Sequence, residues 1–166
     1  LYIRIFEKYI EYFPYAVSFC VHDDWGSQKE TFFSPAVASE MIVPYMRKVT
    51  DYLHSQGKFC EIHSCGQAFK QVPNFIAAGW DSWSGQAMND TAKIYEEYGD
   101  KIILGVYPEP FDIEATSEEK QRELGREFAD KFAKPGKPAT LNGLGVGLTV
   151  PFFEGLYKQS RLNYAK

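Results

Sequence analysis

Phe59-Cys60-Glu61-Ile62-His63-Ser64-Cys65-Gly66 reads as a short strand that runs straight into a loop. Side chains on a strand alternate between its faces, so Glu61, His63 and Cys65 point the same way. A carboxylate, an imidazole and a thiol then converge where the strand ends, and these are the three side-chain types that bind zinc. Gly66 follows at once and lets the backbone turn sharply past a bound ion or substrate. The ordinary reading of the same residues is a hydrogen-bonded core histidine and an inert core thiol.

Outward from this run, short apolar strands alternate with longer helical patterns. Residues 16–22 are rich in β-formers and end in the polar loop Asp23-Asp24-Trp25-Gly26-Ser27-Gln28. Ser34 is the natural cap of a helix with Pro35 in its first turn, and Met41, Tyr45, Val49, Tyr52 and Leu53 continue it to Gly57. Pro44, in the middle, is expected to kink or split that helix. After the strand at 58–63, a helix over about 68–78 closes at Gly79, a strand near 80–85 leads to Asn89-Asp90, and a helix ends at Gly99. The strand 101–107 ends at Pro108-Glu109-Pro110. Ser117 caps a charged amphipathic helix with Glu118 and Glu119 in its favourable first turn. A strand at 139–144 runs into Gly143-Leu144-Gly145-Val146-Gly147, and Pro151 opens the last helix. Successive strand–helix units joined by right-handed crossovers predict an α/β fold with parallel strands. In such folds chemistry collects at the carboxyl ends of the strands, which here carry Asp23-Asp24, His63, Cys65, Gln86, Glu109 and Gly145.

Composition narrows the function. The chain has 166 residues, 45% hydrophobic and 24% charged, a globular balance with enough length for one domain and a core. A net charge of −4 without a basic cluster argues against nucleic acid as a partner. No apolar stretch approaches the roughly 20 residues of a membrane span. The chain starts at Leu1 without a signal peptide and reads as cut from something longer. Cys20, Cys60 and Cys65 are too few and too odd for a disulfide scaffold, which points to a reducing, cytoplasmic setting. The aromatic share of 16% fits a large core and a partner-covered surface, with an aromatic-lined pocket as the sharper alternative.

The order of motifs resembles the uroporphyrinogen decarboxylase superfamily, which also holds zinc-dependent methyltransferases acting on corrinoid proteins and on coenzyme M. The resemblance is carried by Asp23-Asp24-Trp25-Gly26-Ser27, Ser34-Pro35, Pro44-Tyr45, His63-Ser64-Cys65-Gly66 and Ala78-Gly79-Trp80-Asp81. Asn89-Asp90, Tyr98-Gly99-Asp100-Lys101, Leu104-Gly105 and Leu144-Gly145-Val146-Gly147-Leu148 extend it over nearly the whole chain. It implies a (β/α)8 TIM-type barrel of about 250 residues. Residues 1–166 would then be its C-terminal portion, the last five βα units, inactive alone and prone to self-association or homo-oligomer formation through raw strand edges. The activity implied is zinc-dependent methyl transfer involving a thiol or a corrinoid protein. The alternatives are a decarboxylase acting on a tetrapyrrole and a catalytically silent binding member. Val146 stands where the decarboxylases carry a substrate-holding His, and no Cys follows Cys65 to complete the zinc ligands of the methyltransferases.

Against this background His63 and Cys65 are the candidate zinc ligands. Glu61 on the same face, or a loop carboxylate such as Glu109, is the candidate third, and water or a thiol substrate takes the remaining position. Asp23 and Asp24 either cap their loop or serve the site. Alternation lets only one face the pocket, and Asp24 is the candidate catalytic residue, binding substrate or orienting a zinc ligand. His22, in register with Asp24, is a further possible ligand. Trp25, Gln86, Tyr107 and Gly145 are the candidate substrate contacts, with Trp83 as further pocket wall. Cys20 and Cys60 read as packing. Gly143, Gly145 and Gly147 lack the context of a dinucleotide loop and read as permitting close backbone approach to a ligand.

Overall fold

In the computed structural model, which describes residues 1–143 and 148–165, the chain divides into two units, Leu1–Asp90 and Thr91–Lys166. The first begins with an amphipathic helix, α1 (Tyr2–Tyr12), whose Phe6 is buried and meets Phe19 edge-on at 5.3 Å. Phe19 belongs to the first strand, β1 (Ser18–His22). The expected long helix is indeed split, into α2 (Pro35–Met41) and α3 (Val43–Ser55). Ser34 Oγ accepts from Val37 N–H at 3.3 Å to cap α2. Pro44 sits in the first turn of α3, where a missing N–H interrupts no helical bond. Val43, Met46, Val49, Thr50 and Leu53 form the buried stripe of α3 at helical spacing.

The stretch 59–66 contains β2 (Phe59–His63), in which Cys60 and Ile62 are fully buried while Phe59, Glu61 and His63 face the other way. Next comes not one helix but a tight 3₁₀ turn, Phe69–Gln71, feeding α4 (Val72–Ala77). The strand expected near 80–85 is only β3 (Ser82–Trp83). β1 and β2 pair in parallel from Ser18 opposite Phe59 to His22 opposite His63, and β2 pairs in parallel with β3 at Glu61–Ser82 and Ile62–Trp83. Beneath the β2 and β3 faces lies an aromatic core in which Phe75 packs against both Trp25 and Trp83, at 5.0 and 5.4 Å.

The second unit runs α5 (Thr91–Tyr98), β4 (Ile103–Val106), α6 (Glu118–Phe132), β5 (Ala139–Leu141) and α7 (Val150–Tyr164). β4 and β5 are parallel, with Val106 opposite Leu141. Ser117 Oγ accepts from Lys120 N–H at 3.3 Å, the cap expected for α6. Helices α6 and α7 touch through backbone at Gly125 and Gly155: a methyl group on Gly155 would stand 2.0 Å from the Arg122 carbonyl oxygen. Both units therefore have the strand–helix alternation and parallel pairing of an α/β fold. Gly145 and Val146 lie outside the described residues.

Candidate metal centre

The parallel register puts the carboxyl ends of β1 and β2 side by side. His22 pairs with His63, and their rings lie 4.7 Å apart, tilted by 34°. The ladder continues one step further, because Asp23 N–H donates to the His63 carbonyl at 3.0 Å. Asp24 is thus the next residue off the ladder. Its carboxylate reaches across to the neighbouring loop, where Oδ1 accepts from Cys65 N–H at 2.8 Å. The two loops are tied again by Trp25 N–H donating to Ser64 Oγ at 2.9 Å.

Gly66 lets the second loop press against the first. Its φ is +75°, a conformation side chains disfavour, and a methyl group there would meet the Ser27 carbonyl oxygen at 2.5 Å. Gln86 and Asn89 hold the loop from the other side. Gln86 Oε1 accepts from Gly66 N–H at 2.7 Å. Asn89, 2% exposed, donates to the carbonyls of Gly66 and Gln86 and accepts from the N–H groups of Ala68 and Phe69. The side-chain amide thus meets four backbone groups, matching its full donor and acceptor capacity.

The result is a group of donors. One ligand atom each from Asp24, His63 and Cys65 lie within 4.8 Å of one another, with His63 Nε2 3.3 Å from Cys65 Sγ. Burial first, then the charge of the Asp24 carboxylate and its hydrogen bond, hold the Cys65 thiol above its usual value. Asp24 is exposed, and His63 and Cys65 are half-buried, so the group is open on one side. An oxygen, a nitrogen and a sulfur donor with an open position match the chemistry of a zinc site that takes water or a substrate as a further ligand.

The sequence-derived residues fare differently. His63, Cys65 and Asp24 come together. Glu61 lies on the same face but is not in the donor group: it sits two residues back, about 6.6 Å along the strand, beside Cys20 in the register. Cys20 is exposed on that face instead of packed in a core. Trp25 and Trp83 are 1% and 0% exposed, so their rings belong to the aromatic core and not to a pocket wall; the loop after β1 folds inward over Phe75. Gln86 acts on the loop backbone, as described. Tyr107 and Glu109 belong to the second unit, where with Pro108, Phe128, Phe132 and Phe152 they line a cavity of about 160 Å³. Burial raises the Tyr107 phenol above its usual value.

Sequence reasoning passed over Ser64 and Asn89 as site residues. The Asn89-Asp90 pair was visible, but nothing in a single sequence says that an asparagine reaches back more than twenty positions to brace a loop. It also passed over a second donor group, His54, Cys60 and Asp81.

No protein-family model matches the chain, and no curated protein matches it in sequence. Among solved structures, its fold is similar to that of a methyltransferase from Methanosarcina mazei, with a TM-score of 0.53 and 15% sequence identity. The match covers 89% of this chain and 42% of that one, so the chain spans less than half the length of that neighbour. The likeness is one of fold. No described helix is long and apolar enough to cross a membrane.

Proposed function

We propose that this chain is part of an enzyme of the uroporphyrinogen decarboxylase superfamily that transfers a methyl group to or from a thiol, with zinc held by Asp24, His63 and Cys65. The convergence of those three donor atoms at the carboxyl ends of two parallel strands carries the reading. The fold it shares with a methyltransferase supports it. Zinc bound there supplies Lewis acidity that keeps a thiol substrate deprotonated and nucleophilic at neutral pH.

Each residue has a distinct task. Cys65 would hold the ion as a thiolate, its proton released when the metal is bound. His63 would hold it through Nε2, which lies 3.3 Å from the Cys65 thiol. Asp24 takes the place of a third cysteine, and its Oδ1 bond to Cys65 N–H fixes the carboxylate against the ligand loop. Gln86 and Asn89 hold that loop by its backbone, and the open side admits the substrate. In this reading residues 1–166 are the last five βα units of a (β/α)8 barrel in a reducing cytoplasmic setting. The partners are a small-molecule methyl donor or a corrinoid protein.

The test uses the protein with its complete barrel, zinc-loaded, with methylcobalamin as donor and a small thiol as acceptor. Thioether should form in step with loss of methylcobalamin, and Cys65→Ser should abolish both. Turnover of uroporphyrinogen without thiol methylation, or full activity in Cys65→Ser, would overturn the proposal in favour of tetrapyrrole decarboxylation or another chemistry.

A further inference from the structure

The amino end of β2 carries the second donor group, which the proposed methyl transfer does not use. Its members come from three elements of the first unit: His54 from the last turn of α3, Cys60 from the start of β2, and Asp81 from the residue before β3. His54 Nε2 lies 2.9 Å from Asp81 Oδ2 and 3.3 Å from Cys60 Sγ, and Sγ lies 3.2 Å from the same Oδ2. One nitrogen, one sulfur and one oxygen thus form a closed triangle.

Asp81 is tightly placed. Its N–H donates to the Cys60 carbonyl at 2.9 Å, and its Oδ2 accepts from Cys60 N–H at 2.7 Å. A reciprocal pair of this kind fixes the carboxylate relative to the thiol whatever His54 does.

Two chemistries use Cys, His and Asp together, and the geometry separates them. A nucleophilic triad needs its histidine between the other two, one ring nitrogen on the thiol and the other on the carboxylate. Here the same Nε2 faces both. Cys60 is also completely buried, with no surface from which to attack a substrate. Convergence of all three donor atoms on one point is instead what a metal ion requires.

The distances agree. Ligand atoms on a tetrahedral zinc stand roughly 3.3–3.6 Å apart. The observed separations of 2.9, 3.2 and 3.3 Å are a few tenths shorter, as expected of a triangle drawn together by hydrogen bonds before an ion spreads it. The Gly79 carbonyl oxygen, 3.8 Å from Sγ, is a further oxygen beside the group. The side chains of His54 and Asp81 are 40% and 28% exposed, which gives an ion a way in and water a way to complete the shell. The carboxyl end of a helix also favours a cation, and His54 sits in the last turn of α3.

We propose that His54, Cys60 and Asp81 form a second zinc site, which ties the end of α3 to the starts of β2 and β3. The mixed nitrogen, sulfur and oxygen set selects zinc over magnesium or calcium. The site stands independently of the reading given to the opposite end of the strand.

The test takes the full chain carrying Cys65→Ser, so that the two groups are read separately, and titrates it with zinc alone and then with cobalt(II) as a spectroscopic stand-in. The Cys65→Ser chain should bind one equivalent of zinc, show thiolate-to-cobalt charge-transfer absorption, and unfold at a higher temperature with zinc than without. Adding His54→Gln, at an exposed helix end that tolerates substitution, should weaken zinc at least tenfold. Adding Cys60→Ser should remove the charge-transfer band. No zinc bound by the Cys65→Ser chain, or binding that neither His54→Gln nor Cys60→Ser alters, would overturn the proposal. The outcome at Cys65 is read separately, as the difference in zinc equivalents between the wild-type chain and Cys65→Ser.

Discussion

The two ends of β2 carry the same three kinds of side chain, yet they are built differently. At the carboxyl end, Asp24 and Cys65 stand on two loops and His63 on the strand, and the group is open to solvent on one side. At the amino end, His54, Cys60 and Asp81 stand on or beside regular elements, the thiol is completely buried, and one carboxylate oxygen gathers the bonds. The contrast teaches that donor identity alone does not decide a role. What differs is the setting of the thiol, half-buried on a loop at one end and completely buried on a strand at the other.

The largest effect that sharpens this contrast is expected from Gly66→Ala. The new methyl group would meet the Ser27 carbonyl oxygen at 2.5 Å with φ at +75°. It should cost roughly 3 kcal/mol in denaturant unfolding and abolish zinc binding at Asp24–His63–Cys65. The group at the other end should keep its affinity, since none of its residues lies on that loop. Loss of both together would mean that the two ends are not separable.

Asn89→Ala should act in the same direction with a smaller cost. It strands the Ala68 and Phe69 N–H groups and the Gly66 carbonyl, and should remove about 2–3 kcal/mol of stability while loosening zinc at Cys65. Unfolding curves and zinc titration on the same variant would read both effects. A stability loss with unchanged zinc affinity at the carboxyl end would show that the brace serves the fold alone.

These positions also mark how far the sequence could be read. Strand–helix alternation, the Ser34 and Ser117 caps and the split at Pro44 are local properties of backbone and side chain, and each is present as expected. His63 and Cys65 were visible because alternation along one strand is itself local. Asp24 as their partner depends on the pairing of β1 with β2, which a sequence reading sees only as two adjacent strands; Glu61, on the same strand, was therefore the nearer choice for a third ligand. Trp25 looked like pocket wall because it follows two aspartates in a polar loop, but the hydrophobic payload of an indole drew it into the core against Phe75. Cys60 read as packing and is buried, yet its neighbours His54 and Asp81 come from other elements and gave no signal.

Alkylation should separate the thiols without any substitution. In the metal-free folded chain at pH 8, Cys20 and Cys65 should react with iodoacetamide, while Cys60 should react only after unfolding. Peptide mass mapping reads the three sites separately. Early modification of Cys60 would contradict its closed environment.

A pH dependence is also expected. Burial, then the hydrogen bond and charge of Asp81, push the Cys60 thiol up from 9.0 to about 12 in the folded chain. A raised folded pKa contributes stability that is fully present below about pH 9 and lost as pH rises through about 12. The metal-free wild-type chain should therefore lose stability over that window relative to Cys60→Ala. Parallel curves for the two would place the thiol in a less constrained setting.

The central claim is most directly tested by zinc content, measured on protein purified without a metal-binding tag, for the wild type, Cys65→Ser and Cys20→Ser. Cys65→Ser should lose one equivalent of zinc, with affinity at that end falling at least about tenfold, while Cys20→Ser retains the wild-type content. Equal zinc in all three proteins would contradict the account and leave Asp24, His63 and Cys65 as hydrogen-bonding residues of two adjoining loops.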